Sequence, residues 1–126
     1  MRDIEFRGKW MVDGEWAYGF YDYMPLTKRH IIHFYKDSDS AISCRVIPET
    51  VGEYTGLKDK NSVKIFEGDI LLVNTARGSE PHYKKMVVEW KTPYFSGFVF
   101  DKGEYKPQFH EVIGNIHDNP ELLHAN

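Results

Sequence analysis

Two histidines and the single cysteine lie close together in the sequence and are the first candidates for metal chemistry. They are His30, His33 and Cys44, and His110 or His117 could add a further ligand. A zinc site needs three or four converging ligands. Residues three apart on a strand point to opposite faces, so His30 and His33 would not share one ion. We therefore expect surface or loop positions for these histidines, with no metal and no cofactor.

Cys44 is also the one candidate for a thiol nucleophile, and a single cysteine excludes an internal disulfide. The neighbouring Arg45 could lower the pKa of the thiol. A strand through this segment would, however, place Ile42, Cys44 and Val46 on one face. Because no general base can be assigned from the sequence, we interpret Cys44 as a small buried hydrophobic residue.

Three carboxylates offer a second kind of chemistry. Glu67 and Asp69 flank Gly68, and Asp59 lies across a predicted hairpin, so paired acids could serve a hydrolase. Gly68 also permits a bend, at which Asp69 can accept hydrogen bonds from nearby backbone amides, and we favour this structural role. The sequence contains neither a glycine-rich phosphate cradle nor a Gly-x-Ser-x-Gly element. We predict that the protein is not an enzyme.

Lysines gather around one predicted hairpin and beside one loop, with aromatic residues nearby that could stack on bases. The candidate nucleic-acid contacts are Lys58, Lys60, Lys64, Lys84, Lys85 and Trp90. Acidic residues are interleaved with them, and the 16 basic residues are outnumbered by 19 acidic ones, giving a net charge of -3. A dedicated nucleic-acid binder usually has a basic excess. Weak binding of single-stranded RNA or DNA is therefore the alternative function.

Tyrosines near turns and prolines favour a protein-interaction surface instead. The candidates are Tyr21, Tyr23, Tyr94 and Phe95. Tyrosine suits interfaces because it combines a large apolar area with one polar group. This interpretation requires no specific motif in the sequence. The leading prediction is therefore binding to an unknown protein partner, or to another copy of the chain in a homo-oligomer.

These side chains must be positioned by strands, because apolar residues alternate along most of the chain. Asp13-Gly14 predicts a two-residue hairpin turn, and the strand after it carries Trp16, Tyr18 and Phe20 on one face. A second strand pair is predicted at residues 31–35 and 42–47. Further strands are predicted at residues 63–66, 70–73, 86–90, 98–100 and 112–113. Asn119 followed by Pro120 predicts the cap and first position of a short C-terminal helix.

The chain of 126 residues is long enough for one domain. A change in residue composition near Pro48 predicts an N-terminal β-lobe over residues 1–47 and a barrel-like core with a C-terminal tail over residues 48–126. No apolar run approaches the roughly 20 residues of a membrane span, and no secretory signal is visible. We expect a soluble protein of the bacterial cytoplasm.

Several segments resemble one family. Residues 46–61 (VIPETVGEYTGLKDKN) and 65–70 (IFEGDI) carry the densest likeness, and residues 4–8 (IEFRG) and 112–122 (VIGNIHDNPEL) extend it. This pattern resembles the YopX family, small proteins encoded by phages and prophages of low-GC Gram-positive bacteria. The family usually has Asn-Gly at its central turn, whereas Ser62 follows Asn61 here. Serine at positive φ is unfavourable, so we expect a longer or different turn.

The resemblance implies an SH3-like small barrel in the central and C-terminal part, and it supplies no catalytic residue and no mechanism. The predicted fold is therefore all-β: a barrel at about residues 48–118, an additional N-terminal antiparallel β-lobe and a short C-terminal helix. The predicted function is that of a non-enzymatic accessory protein of phage or prophage origin.

Overall fold

The computed structural model describes residues 4–76, 80–89 and 105–124. These residues contain antiparallel strands and short 3₁₀ turns but no α-helix, which confirms the all-β class. The strands are β1 (Phe6–Lys9), β2 (Trp16–Met24), β3 (Arg29–Asp37), β4 (Ser40–Arg45), β5 (Gly52–Lys58), β6 (Lys64–Phe66), β7 (Asp69–Asn74), β8 (Tyr83–Val87) and β9 (His110–Asn115). The chain divides into two compact units, Met1–Tyr54 and Thr55–Asn126.

The first unit is one antiparallel sheet in the order β4-β3-β2-β1-β5. Its register places Tyr21 opposite Ile32, and Ile32 opposite Cys44, so these side chains share one face. The buried core on that face consists of Ala17, Ile32, Cys44 and Val46. Complete burial of a side chain such as Ile32 contributes about 1.5–3 kcal/mol. The residues of the core face therefore follow the two-residue alternation along each strand.

Two local features bring the strands of this unit together. A Cβ atom at Gly19 would lie 2.1 Å from the carbonyl oxygen of His33, so only glycine permits this approach of β2 to β3. At the end of β4, Val46 forms an isolated bridge with Trp10. The sheet thereby curls around its core and leaves the opposite face outside.

The first hairpin is confirmed, but its turn is longer than predicted. The amide of Trp10 donates to the carbonyl of Glu15 at 2.8 Å, which leaves a four-residue loop, residues 11–14. Gly14 has a φ of 76°, as the glycine of this turn should. The carboxylate of Asp13 accepts a hydrogen bond from the amide of Glu15, and this local bond stabilises the longer loop.

The second unit begins with the end of β5, to which β6 is the neighbouring strand. A separate sheet has the order β8-β7-β9. Leu71 on β7 lies opposite Met86 on one side and Val112 on the other. The buried core of this unit consists of Ile65, Leu71 and Val88.

Two finer predictions for the second unit are not confirmed. In the part of the chain that the structure describes, no closed barrel forms from residues 48–118, and the strand predicted at residues 98–100 lies outside the described ranges. The predicted C-terminal helix is a short 3₁₀ turn, Pro120–Leu123. The side-chain oxygen of Asn119 accepts from the amide of Asn115 and makes no cap bond to the turn, so the cap expected of a longer helix is missing.

Across residues 4–76, 80–89 and 105–124, no helix has the length and apolar character needed to cross a membrane.

Candidate functional site

The carboxylates of the central segment are bound to the backbone. Asp59 is buried, and its Oδ1 accepts from the amides of Asn61 and Val63 at 2.8 and 2.9 Å. Its Oδ2 accepts from the amide of Val112 at 2.8 Å. Buried Asp69 accepts from the amide of Phe66 at 2.7 Å, which confirms the structural role predicted for it. Asp59 and Asp69 thus hold turns and strand ends in place.

The length of the turn between β5 and β6 and the conformation of Ser62 can now be compared with the prediction. The amide of Asp59 donates to the carbonyl of Val63, so the loop has three residues, 60–62, and is longer than a two-residue turn, as expected. Ser62 nevertheless adopts a positive φ of 65°. A three-residue hairpin loop commonly ends with one residue in this left-handed conformation. The fold therefore accepts serine where the family usually has glycine.

The predicted soft ligands do not converge. His30 faces the core side of the first sheet, where its Nδ1 lies 2.6 Å from the hydroxyl of Tyr21. His33 projects from the opposite face, and buried Cys44 directs its thiol to the carbonyl oxygen of Ile32. Burial raises the pKa of the Cys44 thiol. Within the described ranges, no three histidine, cysteine or acidic side chains are arranged to hold a metal ion.

The lysines predicted to bind nucleic acid are divided between two places. Lys58, Lys60 and Lys64 lie around the β5–β6 turn, whereas Lys84 and Lys85 lie on β8. The Nζ of Lys60 is 3.5 Å from the carboxylate of Glu111. The Nζ of Lys85 donates to the carbonyl oxygen of Leu122 at 2.8 Å. Lys60 and Lys85 thus bind other groups of the protein, and Trp90 lies outside the described residues.

The tyrosines predicted for an interaction surface differ in their exposure. Tyr21 is half-buried, its ring centroid is 5.5 Å from that of Phe6, and its hydroxyl contacts His30. Burial, aided by Tyr23 and Asp22, raises the pKa of the Tyr21 hydroxyl. Tyr23 is exposed, with its ring 4.8 Å from that of His30. Tyr94 and Phe95 lie outside the described residues.

Tyr23 belongs to an apolar group at the end of the β2–β3 hairpin that the sequence did not single out. Tyr23 and Met24 are each 45% exposed, and Leu26 in the turn is fully exposed. We call Tyr23, Met24 and Leu26 the hairpin tip. Tyr23 and Met24 point to opposite faces of β2, with Tyr23 opposite His30 and Met24 opposite Arg29, so the three residues surround the end of the hairpin. A partner that encloses the end of the hairpin could cover all three.

A second surface lies on the face of the first sheet opposite the core. Here Tyr18, Phe20 and Tyr35 are 45%, 64% and 74% exposed. We call this surface the outer face. Its exposed or half-buried members are Lys9, Trp16, Tyr18, Phe20, Asp22, Met24, Arg29, His33, Tyr35, Ala41, Ser43 and Arg45, and the same registers place buried Arg7 and Ile31 on it. The alternation of Trp16, Tyr18 and Phe20 was visible in the sequence. The sequence did not show which side of β2 faces the core.

A chain of polar side chains crosses three strands of the outer face. The hydroxyl of Ser43 lies 2.8 Å from Nδ1 of His33, and Nε2 of His33 lies 3.2 Å from the carboxylate of Asp22. The residue types are those of a serine hydrolase triad, in which the aspartate is buried. Here the side chains of His33 and Asp22 are 41% and 54% exposed, so water competes for each bond. The arrangement orients His33 but lacks the desolvated aspartate of a catalytic site.

Comparison with known proteins identifies the family of this chain. The profile of the family described as YopX protein matches residues 5–124. None of the curated proteins matches the sequence. The fold is similar to the crystal structure of protein EF1440 from Enterococcus faecalis, with a TM-score of 0.58 and 24% sequence identity over 98% of this chain and 99% of that chain. Because the family match covers nearly the whole sequence, the chain belongs to the YopX family.

Proposed function

We propose that this chain is a non-enzymatic accessory protein, encoded by a phage or prophage, that acts by contacting a protein partner through the hairpin tip. The setting in the cytoplasm of a Gram-positive host rests on the properties of the YopX family. The observation that carries the proposal is the exposure of Tyr23, Met24 and Leu26 around the end of one hairpin.

The chemistry of the hairpin tip favours a protein partner. Covering a side chain such as Leu26 stabilises a complex by about 1.5–3 kcal/mol, because its apolar surface leaves water. Tyrosine and methionine are enriched in protein interfaces relative to the remaining surface. Tyr23 also packs against His30, so its ring is held in place before a partner arrives and loses less conformational entropy on binding.

The absence of an enzymatic role is supported by the way the reactive groups are engaged. Asp59 and Asp69 accept backbone hydrogen bonds, and Cys44 is buried with a raised pKa. A nucleophile requires an accessible thiolate, and a hydrolytic acid requires access to substrate. The SH3-like barrel over residues 48–118 stays a prediction, and the proposed protein contact does not depend on it.

Affinity capture from a Gram-positive host lysate tests the protein contact when three forms are compared. The wild type and a Val12→Ser variant, altered at the equally accessible turn between β1 and β2, should retain the same partner. A Met24→Ser, Leu26→Ser double variant should lose it. Capture of the same proteins by all three forms, or of none reproducibly, would contradict the proposal. If the partner is a second copy of the chain, light scattering should show a dimer that the double variant alone reduces to a monomer.

A further inference from the structure

We infer that the outer face of the first unit binds single-stranded nucleic acid. This activity goes beyond the protein contact proposed above and uses the face of the sheet, which includes only Met24 of the hairpin tip. It is also a different place from the lysine-rich β5–β6 turn, where the sequence suggested such binding. Three exposed aromatic rings and the exposed Arg29 and Arg45 lie on this face, which also holds buried Arg7 and Ile31. The rings match the bases of a single-stranded nucleotide chain, and the cations match its phosphates.

The rings are suited to stacking on bases. Tyr18 and Phe20 are two residues apart on β2, so their side chains leave the same face about 6.6 Å apart. Tyr35 projects from the same face of β3, at the end of the strand pairing with β4. Sheets that bind single strands present two or three aromatic side chains in this way, each receiving one unpaired base. The outer face therefore offers up to three stacking positions.

The charges of the outer face are suited to phosphates. Arg29 and Arg45 are exposed, and Lys9 extends toward the ring of Trp16, with its Nζ 5.5 Å from the ring centroid. Among the described members of this face, Asp22 is the one acid, and it contacts His33 at 3.2 Å. The whole chain has a net charge of -3, so this face departs in sign from the rest of the protein. Such segregation attracts an anionic partner.

Hydrogen-bonding groups lie beside the stacking positions. His33 is directly opposite Phe20, and Ser43 is directly opposite His33. The contacts with Asp22 and Ser43 fix the orientation of the imidazole next to the Phe20 ring. A base stacked on Phe20 would thus have a donor or acceptor within reach of its edge, as in other single-strand readers.

Other occupants explain these features less completely. A second copy of the chain docked through the same face would bring two positively charged faces together, and like charges repel. An acidic protein satisfies the cations but does not require flat, exposed rings at regular spacing. A nucleic-acid duplex satisfies the cations as well, but its bases are paired and already stacked. The single strand alone uses both the rings and the cations.

Fluorescence anisotropy with labelled oligo(dT) and oligo(U) tests the inference in the full-length chain. Binding should be measurable at low salt and should weaken steeply as salt rises, because phosphate contacts release counterions. Each of Phe20→Ala and Tyr35→Ala should weaken binding about tenfold through the loss of one stacked base. Arg45→Ala should lower the slope of log affinity against log salt by about 0.7, the value for one phosphate contact on a single strand.

Matched variants on the second unit serve as controls. Tyr83→Ala removes an equally exposed ring from β8, and Lys84→Ala removes an exposed cation from the same strand. Both should bind like the wild type, as should the Lys58→Ala, Lys60→Ala, Lys64→Ala triple variant. Because Phe20, Tyr35 and Arg45 are exposed, their variants should keep the circular dichroism spectrum of the wild type.

Four outcomes would overturn the inference. The first is the absence of binding to both oligonucleotides at low salt. The second and third are an equal affinity for a duplex of the same length and an equal affinity for polyglutamate. The fourth is that the lysine triple variant loses binding while the Phe20 and Arg45 variants bind like the wild type. Polyglutamate binding as tight as oligonucleotide binding would assign the face to an acidic protein. A Leu26→Ser single variant separates the two proposals, because Leu26 lies in the turn between β2 and β3 whereas Met24 lies opposite Arg29 on the outer face. It should weaken partner capture and leave oligonucleotide binding unchanged.

Discussion

Replacing Asp59 by alanine should destabilise the second unit strongly. The Asp59 side chain is 3% exposed, and its carboxylate accepts three backbone hydrogen bonds. Two of these bonds close the β5–β6 turn, and the third reaches the amide of Val112, which is 53 residues away in sequence. Asp59 thus joins the central turn to β9.

The magnitude follows from the environment of the three donors. A hydrogen bond to a charged group contributes about 1.5–3 kcal/mol. The amides of Asn61 and Val63 belong to exposed residues and can bind water after the substitution, whereas Val112 is half-buried. We therefore expect a loss of about 3–5 kcal/mol in the free energy of unfolding, less than the sum of three bonds. Asp59→Asn should cost less than Asp59→Ala, because its carbonyl oxygen can still accept from Asn61 and Val63 while its N–H₂ group faces the amide of Val112.

Amide hydrogen exchange, resolved by residue, is the appropriate assay, because a chain of two compact units need not unfold in one step. Protection should fall at Val63 and Val112 and stay unchanged at Ile32 in the core of the first unit. Asp37→Ala is the matched control, since Asp37 makes one exposed hydrogen bond to the amide of Asp39 and should change stability by no more than about 0.5 kcal/mol. Equal effects of Asp59→Ala and Asp37→Ala would refute the reasoning.

Three further predictions test other features of the fold. Ser62→Gly should stabilise the second unit by about 0.5 kcal/mol in urea unfolding, because glycine relieves the cost of the positive φ but loses more chain entropy; a decrease would contradict this account of the turn. Burial lowers the pKa of His110 in the folded chain, and its hydrogen bond to the carbonyl of Lys106 partly offsets this shift. As the pH falls below the ordinary imidazole pKa of 6.5, the unfolded chain therefore binds a proton at His110 more readily than the folded chain does. Stability should therefore fall on acidification through that value, and His110→Gln should show a smaller fall than wild type; an equal fall in both would contradict this account. Cys44 should react with a thiol reagent only as fast as the first unit opens, so low urea should accelerate labelling; rapid labelling in native buffer would show that the thiol is accessible.

The placement of turns and strands could be predicted because it depends on neighbouring residues. Asp13-Gly14 marked the first hairpin, and the alternation of Ile42, Cys44 and Val46 indicated the buried side of β4. The structural role of Asp69 was also predictable, since its hydrogen bond reaches only three residues back to Phe66. In each case the physical cause is a short-range one: a backbone angle, a two-residue period or a local hydrogen bond.

The candidate surfaces depended on contacts between distant strands. Alternation gives a strand two faces but does not say which of them is covered, so Tyr18 and Phe20 could equally have been core residues. The register of β2, β3 and β4 decided that Asp22, His33 and Ser43 meet on the outer face. The bond from Asp59 to Val112 likewise became visible only once the turn and β9 lay together. The sequence by itself determined the β-class, the turns and the family, whereas the tertiary structure decided which side chains remain exposed, because exposure depends on what the rest of the chain covers.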